Sequence, residues 1–405
     1  MEYPKLRYGL EAIPAVHEGQ NVIVLRDRLG FSNEFLLISS PLLELLMQMN
    51  GENSIRDLQY HYFRSTGEML YSEKIEEVLN KLDEHFFLEN ERFIQHVAQT
   101  AARFRDGPLR HMVHAGKSYP DDPQLLRRQL ESFFSPDNGG PGFPQPNSSC
   151  RRLHGLAAPH IDIQAGGPTF AYAYKACCEA KPPRTWVILG TGHEPVENYF
   201  ALTVKDFETP LGIVRCDDAF CKEIIRKAPR DLLAGEYNHR QEHTIEFQAV
   251  FLAYAQPDAR IVPVLCSFSH ENWEEDRELI DGIAELMRSI ADDNPGEVGF
   301  IASVDLAHVG PRYGHNFHPH AGTVAEHMEA DRKLMENLER CDASGFMQTI
   351  EREANRRNIC GVAPLYMLAK VLEGRARGRL LHHSQTCVDQ QNSFVTFASM
   401  AFEEM

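Results

Sequence analysis

Three histidines and an aspartate stand where an α/β chain usually delivers its chemistry. His160 closes Ala157-Ala-Pro-His160, just after the apolar run 153–158. His193 closes Leu189-Gly-Thr-Gly-His193, just after the run 185–189. Asp305 and His308 lie in Ile301-Ala-Ser-Val-Asp-Leu-Ala-His308, just past the run 298–303. Ligands of open α/β sheets sit beyond the carboxyl ends of the strands. Three strand ends therefore bring three imidazoles and one carboxylate to one sheet edge. Pro159 and the Gly190/Gly192 pair turn the chain sharply enough for these side chains to converge. Neutral imidazoles with a carboxylate and open positions suit Fe(II), Cu or Zn. Any one of these histidines alone reads as well as a hydrogen-bonded loop residue. Their recurrence at successive strand ends points to a metal or a substrate.

The elements that must position them alternate. The short apolar runs 153–158, 185–189, 260–266 and 298–303 have the character of strands buried on both faces. Helical periodicity over 169–180, 218–227, 243–254 and 277–290 separates them. This βαβ rhythm predicts a doubly wound α/β domain. Further helices are expected over 323–338 and 363–372, and a hairpin-like strand pair over 380–386 and 393–402 closes the sheet. On the 243–254 helix, His243 and Glu246 are three residues apart and share a face. They suit an acid/base pair or orienting groups near a metal, or simply local pairing at a helix start. His315-Asn-Phe-His-Pro-His320 reads as a solvated loop, not a ligand tract. His382 and His383 are adjacent in a predicted strand and so face opposite ways.

Residues 1–95 read as a separate small α+β unit. The β-rich segments 21–26 and 34–38 suggest a hairpin around Gly30. Three capped helical patterns follow, begun by Ser39 or Ser40, by Ser54 and by Ser72, and 89–94 is expected to form a short wing. The order suggests a winged helix-turn-helix. Residues 1–100 carry nine basic and sixteen acidic side chains, a net of −7. The third helix bears Glu73, Glu76, Glu77, Asp83 and Glu84 against Lys74 and Lys81. Such a face repels phosphates, so the expected partner is a peptide or protein, not nucleic acid. Residues 96–110 are expected to connect the units. Another amphipathic helix starts at Asp121-Asp122-Pro123, and 135–149 has the Gly/Pro density of a loop.

The whole chain is consistent with this division. Its 405 residues suit two or three domains. The 41 basic and 58 acidic side chains leave a formal charge of −17, which offers no general attraction to nucleic acid or anionic membranes. No apolar run is long enough to span a bilayer and no signal-peptide pattern opens the chain. The nine cysteines form no CxxC pair, and they read as reduced thiols in a cytoplasm. All nine, with 13 of the 19 histidines, follow residue 149.

Two family resemblances emerge from these motifs. Leu36-Leu-Ile-Ser-Ser-Pro, Met49-Asn-Gly51, Val78-Leu-Asn-Lys-Leu82 and Phe87-Leu88 make the first ninety residues resemble the PqqD-like peptide-recognition domain. That resemblance implies a peptide added to a sheet edge; a purely structural winged-helix appendage is the alternative reading. His114-Ala-Gly-Lys-Ser-Tyr-Pro120, Ala158-Pro-His160, the His193 loop, Glu242-His-Thr-Ile-Glu246, Ser303-Val-Asp-Leu-Ala-His308 and Asn358-Ile-Cys-Gly361 occur in the order found in the Memo family. Residues from about 110 to the C-terminus (111–405 as a domain) are similar to that family.

The Memo resemblance implies an αβα sandwich of the class III extradiol dioxygenase type. It also implies a link to a radical-SAM partner protein, since bacterial members are called AmmeMemoRadiSam system protein B. It places metal ligands at His160, His193 and His308, with Asp305 and Cys360 beside them. Iron (Fe2+) is the metal implied, with copper favoured by the thiol and zinc a further possibility. Cys360, by default a small buried hydrophobe, becomes a soft ligand or a nucleophile, and His243 the acid/base. The expected activity is a non-haem metal-dependent oxidation of a small molecule or peptide. A non-catalytic accessory protein that binds metal and peptide is a second expectation. A zinc hydrolase using Asp162 or Asp305 is a third. Two departures bear on substrate more than on metal: Ile161-Asp-Ile-Gln follows the first histidine where the family has Ala-Gly-Tyr, and Thr191-Gly-His193 replaces Ser-His-His.

Overall fold

The computed structural model describes residues 2–32, 34–145, 151–194, 196 and 198–405, and the chain divides into two compact units, 1–106 and 107–405. The last residues of the Gly/Pro-rich 135–149 loop, and Cys150, lie outside the described residues.

Unit 1 opens with an antiparallel meander, β1 (Leu10–His17), β2 (Gln20–Asp27) and β3 (Phe35–Ile38), in that spatial order. Three helices follow: α1 (Ser40–Met47), α2 (Ile55–Thr66) and α3 (Ser72–Glu84). The Ser39 and Ser54 hydroxyls cap the first two. Leu25, Ile38, Leu46, Leu58, Ile75 and Phe87 form the unit's own core. Two expectations need correction. Strand β1 was not foreseen, because Pro14 interrupts it; Pro14 is tolerated since β1 lies at the sheet edge. The expected wing at 89–94 and the connector after it are instead helix α4 (Glu91–Asp106). The Asn90 side chain accepts the Phe93 N–H at 2.9 Å and so starts that helix.

Unit 2 is an α/β sandwich. After β4 (Leu109–Arg110) and α5 (Pro123–Phe134) come β5 (Leu153–Ala158), α6 (Ile163–Glu179) and β6 (Thr185–Thr191). Three short strands follow, β7 (Phe200–Leu202), β8 (Asp206–Thr209) and β9 (Gly212–Cys216), then α7 (Asp218–Lys227), α8 (His243–Ala255) and β10 (Arg260–Cys266). The chain ends with α9 (His270–Trp273), α10 (Arg277–Asp292), β11 (Val298–Ser303), β12 (His308–Val309), α11 (Ala321–Glu339), α12 (Ala343–Glu353), α13 (Val362–Leu372) and the strands β13 (Ala376–Cys387) and β14 (Phe394–Glu404). The expected α6 start at 169 is corrected to Ile163: Asp162 accepts the Gln164 N–H and caps the helix, which then carries Pro168 within it.

The sheet has the order β12-β14-β5-β11-β6-β10-β9-β8-β4. Strands β5, β11, β6 and β10 are parallel neighbours, so their carboxyl ends share one edge. Strand β14 joins β5 antiparallel, and β13 pairs with β14. Along each central strand alternate residues enter opposite cores. Trp186 and Ile188 pack with α6 and α8, while Val187 and Leu189 pack with α10 and α13. Burial on both faces is what the uninterrupted apolar runs require. No helix among the described residues is long and apolar enough to cross a membrane.

Candidate metal centre

The carboxyl edge of the parallel strands is where the chemistry-bearing side chains meet. His160 follows β5, His193 follows β6, and Asp305 follows β11; Glu242 and His243 begin α8, and Cys360 precedes α13. Two glycines permit the approach. A Cβ on Gly190 would lie 2.7 Å from both Ile245 and the Thr244 hydroxyl, so glycine lets the start of α8 close on the end of β6. A Cβ on Gly361 would lie 2.6 Å from Val304 and 2.9 Å from the Asp305 carbonyl, so glycine lets the start of α13 close on the end of β11. The loop before Cys360 is strained: Ala354, Asn355 and Asn358 all have left-handed backbones, at φ of 47°, 42° and 51°. Arg357 anchors this loop. It pairs with the buried Asp331 and Glu353, and its carbonyl accepts the His308 N–H at 2.7 Å.

The imidazoles of His160, His193 and His243 form a triangle, with centroids 5.2–5.4 Å apart. The Cys360 Sγ lies 3.2 Å from His160 Nε2, and Asp305 Oδ2 lies 3.6 Å from the same nitrogen. Among the described residues, two groups of three donors gather within 4.8 Å of one another. One is His160, His193 and Cys360; the other is His193, Glu242 and His243.

Hydrogen bonds aim these rings. His160 Nδ1 donates to the Ser303 carbonyl at 3.0 Å, and His193 Nδ1 meets the Glu242 carboxylate at 3.0 and 3.1 Å. Each ring therefore offers Nε2 to the pocket. Metal-bound histidines are commonly oriented in this way by a carbonyl and a carboxylate. Burial, followed by the neighbouring His193 and His243, holds the His160 imidazole well below its usual range and keeps its lone pair free. At His193 burial opposes charge, but the Glu242 carboxylate and the Cys360 thiol outweigh it and hold the ring well above the usual range. Glu242 shows the reciprocal effect: burial resists ionisation, and His193 and His243 overcome it. Burial raises the Cys360 thiol against the pull of His193. Two nitrogens and one sulfur, held on three separate chain segments, fit a four-coordinate transition-metal ion with a position left open.

The other predicted positions fall as follows. His308 is at the same edge, with Nδ1 bonded to the Leu306 carbonyl at 3.0 Å, but it joins neither donor group. Burial pushes it down to about 4, and Tyr313 stands edge-on against it at 5.0 Å. Asp305 spends one oxygen on the N–H groups of His160 and Ile161, at 3.0 and 3.1 Å, so it sets the His160 backbone. Burial raises its carboxyl to about 6. His243 belongs to the pocket, whereas Glu246, three residues on, is buried against Arg110. Asp162 is an exposed helix cap and not a pocket carboxylate. His320 caps α11, and His315 bonds to the Arg356 carbonyl. His382 stacks on Tyr172 while His383 approaches Asp331, on opposite faces as the strand periodicity requires.

Two features were not singled out from the sequence. Glu242 is the carboxylate shared by His193 and His243. It also caps α8 by accepting the His243 and Thr244 N–H groups at 2.9 and 3.2 Å. Glutamate is an unusual helix cap, so only its place beside His243 could have drawn attention. Beneath it the fully buried Arg110 donates to the carbonyls of Glu242 and His239, at 2.8 and 3.0 Å, and pairs with Glu246. Glu246 also accepts from Tyr119 Oη and from the His114 N–H at 3.0 Å. Arg110 and Glu246 are 136 residues apart, and no local pattern links them.

Residues 110–401 match the family described as Memo-like protein. The chain is 29% identical over 382 residues to a MEMO1 family protein of Aquifex aeolicus, covering 94% of this chain and 95% of the relative. It is 32% identical over 277 residues to one of Methanopyrus kandleri, covering 67% and 89%. It is 29% identical over 271 residues to one of Methanothermobacter thermautotrophicus, covering 67% and 89%. The Aquifex alignment is long enough to reach into unit 1.

Proposed function

Since the chain belongs to the Memo family, we propose that unit 2 holds a redox-active metal ion between His160, His193 and Cys360 and serves the oxidation of a small molecule or peptide. The observation that carries this reading is the gathering of those three donors within 4.8 Å from three distant segments. Iron(II) is the proposed ion, with copper the competitor that the thiolate favours. The bound metal would supply open positions for oxygen or substrate. The chain's own residues do the rest. Glu242 keeps His193 Nδ1 engaged so that Nε2 faces the pocket, and Asp305 holds the His160 backbone. To hold the ion, Cys360 would give up its thiol proton and His193 any proton on Nε2, as thiolate and imidazole ligation requires. His243, stacked on His193 and 5.4 Å from His160 by ring centroids, is placed to accept a proton from a bound substrate.

Unit 1 is proposed to hold a peptide, delivered or modified by a radical-SAM partner. The end of its sheet is the short strand β3, where Phe35 and Leu37 are exposed at the outer face. The test is anaerobic purification with elemental analysis, then oxygen uptake by the iron-loaded protein with catechols and peptides. One iron per chain with substrate-dependent uptake supports the enzyme. Stoichiometric metal with no uptake for any substrate transfers the proposal to a metal- and peptide-binding accessory protein. Absence of bound metal removes both.

A further inference from the structure

The second donor group lies against the first and shares one residue with it. His193 presents its two ring nitrogens to different places: Nε2 to the pocket with His160 and Cys360, and Nδ1 to Glu242 at 3.0 and 3.1 Å. Glu242 Oε1 lies 3.1 Å from His243 Nδ1. Two imidazole nitrogens and a carboxylate therefore surround one point, and the proton now shared between His193 and Glu242 occupies the position a cation would take. Two histidines with a glutamate are an established donor set for zinc, whereas the neighbouring group is distinguished by its thiol.

We infer that Glu242, His243 and the Nδ1 side of His193 form a second metal position for a zinc-like divalent ion, and that His193 bridges two ions when both positions are filled. This rests on the proposed first position only through the shared His193. The start of α8 is an unfavourable place for a cation, since a helix N-terminus is electropositive. Here the Glu242 carboxylate stands between them, taking the His243 and Thr244 N–H groups while facing both imidazoles. Arg110 fixes the Glu242 backbone by its carbonyl at 2.8 Å, so the carboxylate is held by covalent and hydrogen-bonded constraints before any ion arrives. Filling the second position releases the His193 Nδ1 proton to solvent. With both ions bound the ring is an imidazolate.

Cobalt(II) is the probe, because it resembles zinc in ligand preference and a cobalt–thiolate charge-transfer band that is lost in Cys360→Ser reports ligation by Cys360. The full chain is titrated anaerobically and bound cobalt is counted. The expected result is two ions per chain. His243→Ala and the milder His243→Gln are expected to bind one and to keep the thiolate band. Cys360→Ser is expected to bind one and to lose the band. Tryptophan fluorescence checks that each variant is folded. Saturation of the unaltered chain at one ion overturns the inference, as does a folded His243 variant that still binds two. Two ions in the unaltered chain with no thiolate band, and two in Cys360→Ser, would remove the first position and leave the second standing.

Discussion

The Arg110–Glu246 pair should be the most expensive polar feature of unit 2 to break. Both side chains are fully buried, and between them they hold β4, the start of α8 and residues 111–114. Replacing Glu246 by Leu leaves a guanidinium in the interior with no counter-charge, which costs about 3–5 kcal/mol. The Tyr119 hydroxyl and the His114 N–H also lose their acceptor. Arg110→Met strands the carbonyls of His239 and Glu242. The double variant removes both charges together, so its loss should be smaller than the sum of the singles, with a coupling energy of about 2–3 kcal/mol. Both tryptophans of the chain, Trp186 and Trp273, lie in unit 2 and are buried. Their fluorescence therefore follows urea unfolding of unit 2 without interference from unit 1. With an m-value of ~3 kcal/mol/M, Glu246→Leu should lower the midpoint by about 1–1.7 M. A loss below about 1 kcal/mol, or additive singles with coupling under about 0.5 kcal/mol, would refute the reasoning.

Two further outcomes follow from other parts of unit 2. His239 is buried with Nε2 donating to the Ala201 carbonyl at 2.9 Å, and burial lowers its pKa from 6.5 to about 4. Its folded value lies below its unfolded one, so the unfolded chain binds the extra proton between these limits and stability falls as pH drops from 6.5 toward 4. The single-site contribution is about 3 kcal/mol; His239→Gln should flatten the urea midpoint against pH by that amount, and an unchanged slope would contradict it. Ala354 ends α12 at a φ of 47°, where an L side chain is crowded. Ala354→Gly should raise stability by about 0.5–1 kcal/mol by thermal or urea unfolding, and destabilisation would show that the strain is not there.

Much of this architecture is legible in the sequence because each central strand is buried on both faces and flanked by turn residues. Leu153–Ala158, Arg260–Cys266 and Val298–Ser303 needed no long-range information to be found. The short strands β7 to β9 and the two-residue β4 carry too few residues for periodicity to register. Helix α12 was hidden by Ser344 and Gly345 in its first turn. At the site, His160 and His193 were visible as strand-end histidines. Cys360 was visible only through family resemblance, since it precedes a helix and follows no strand. His308 looked equivalent to them from its position after β11, and its Nδ1 is turned to a carbonyl as that of His160 is, but the chain runs on into β12 and His308 is not among the donors that gather within 4.8 Å of one another. Glu242 was masked by its neighbours: the i to i+3 pattern drew attention to Glu246, whose carboxylate Arg110 takes instead.

Ligation at His160, His193 and Cys360 is tested most directly by X-ray absorption on the anaerobic protein carrying one equivalent of copper(I), the ion that the thiolate favours over the sulfur-free group of His193, Glu242 and His243. The expected spectrum contains a single sulfur neighbour beside nitrogen neighbours, and the sulfur contribution disappears in Cys360→Ser. A first shell of nitrogen and oxygen alone in the unaltered chain, or sulfur that persists in the variant, would contradict the site.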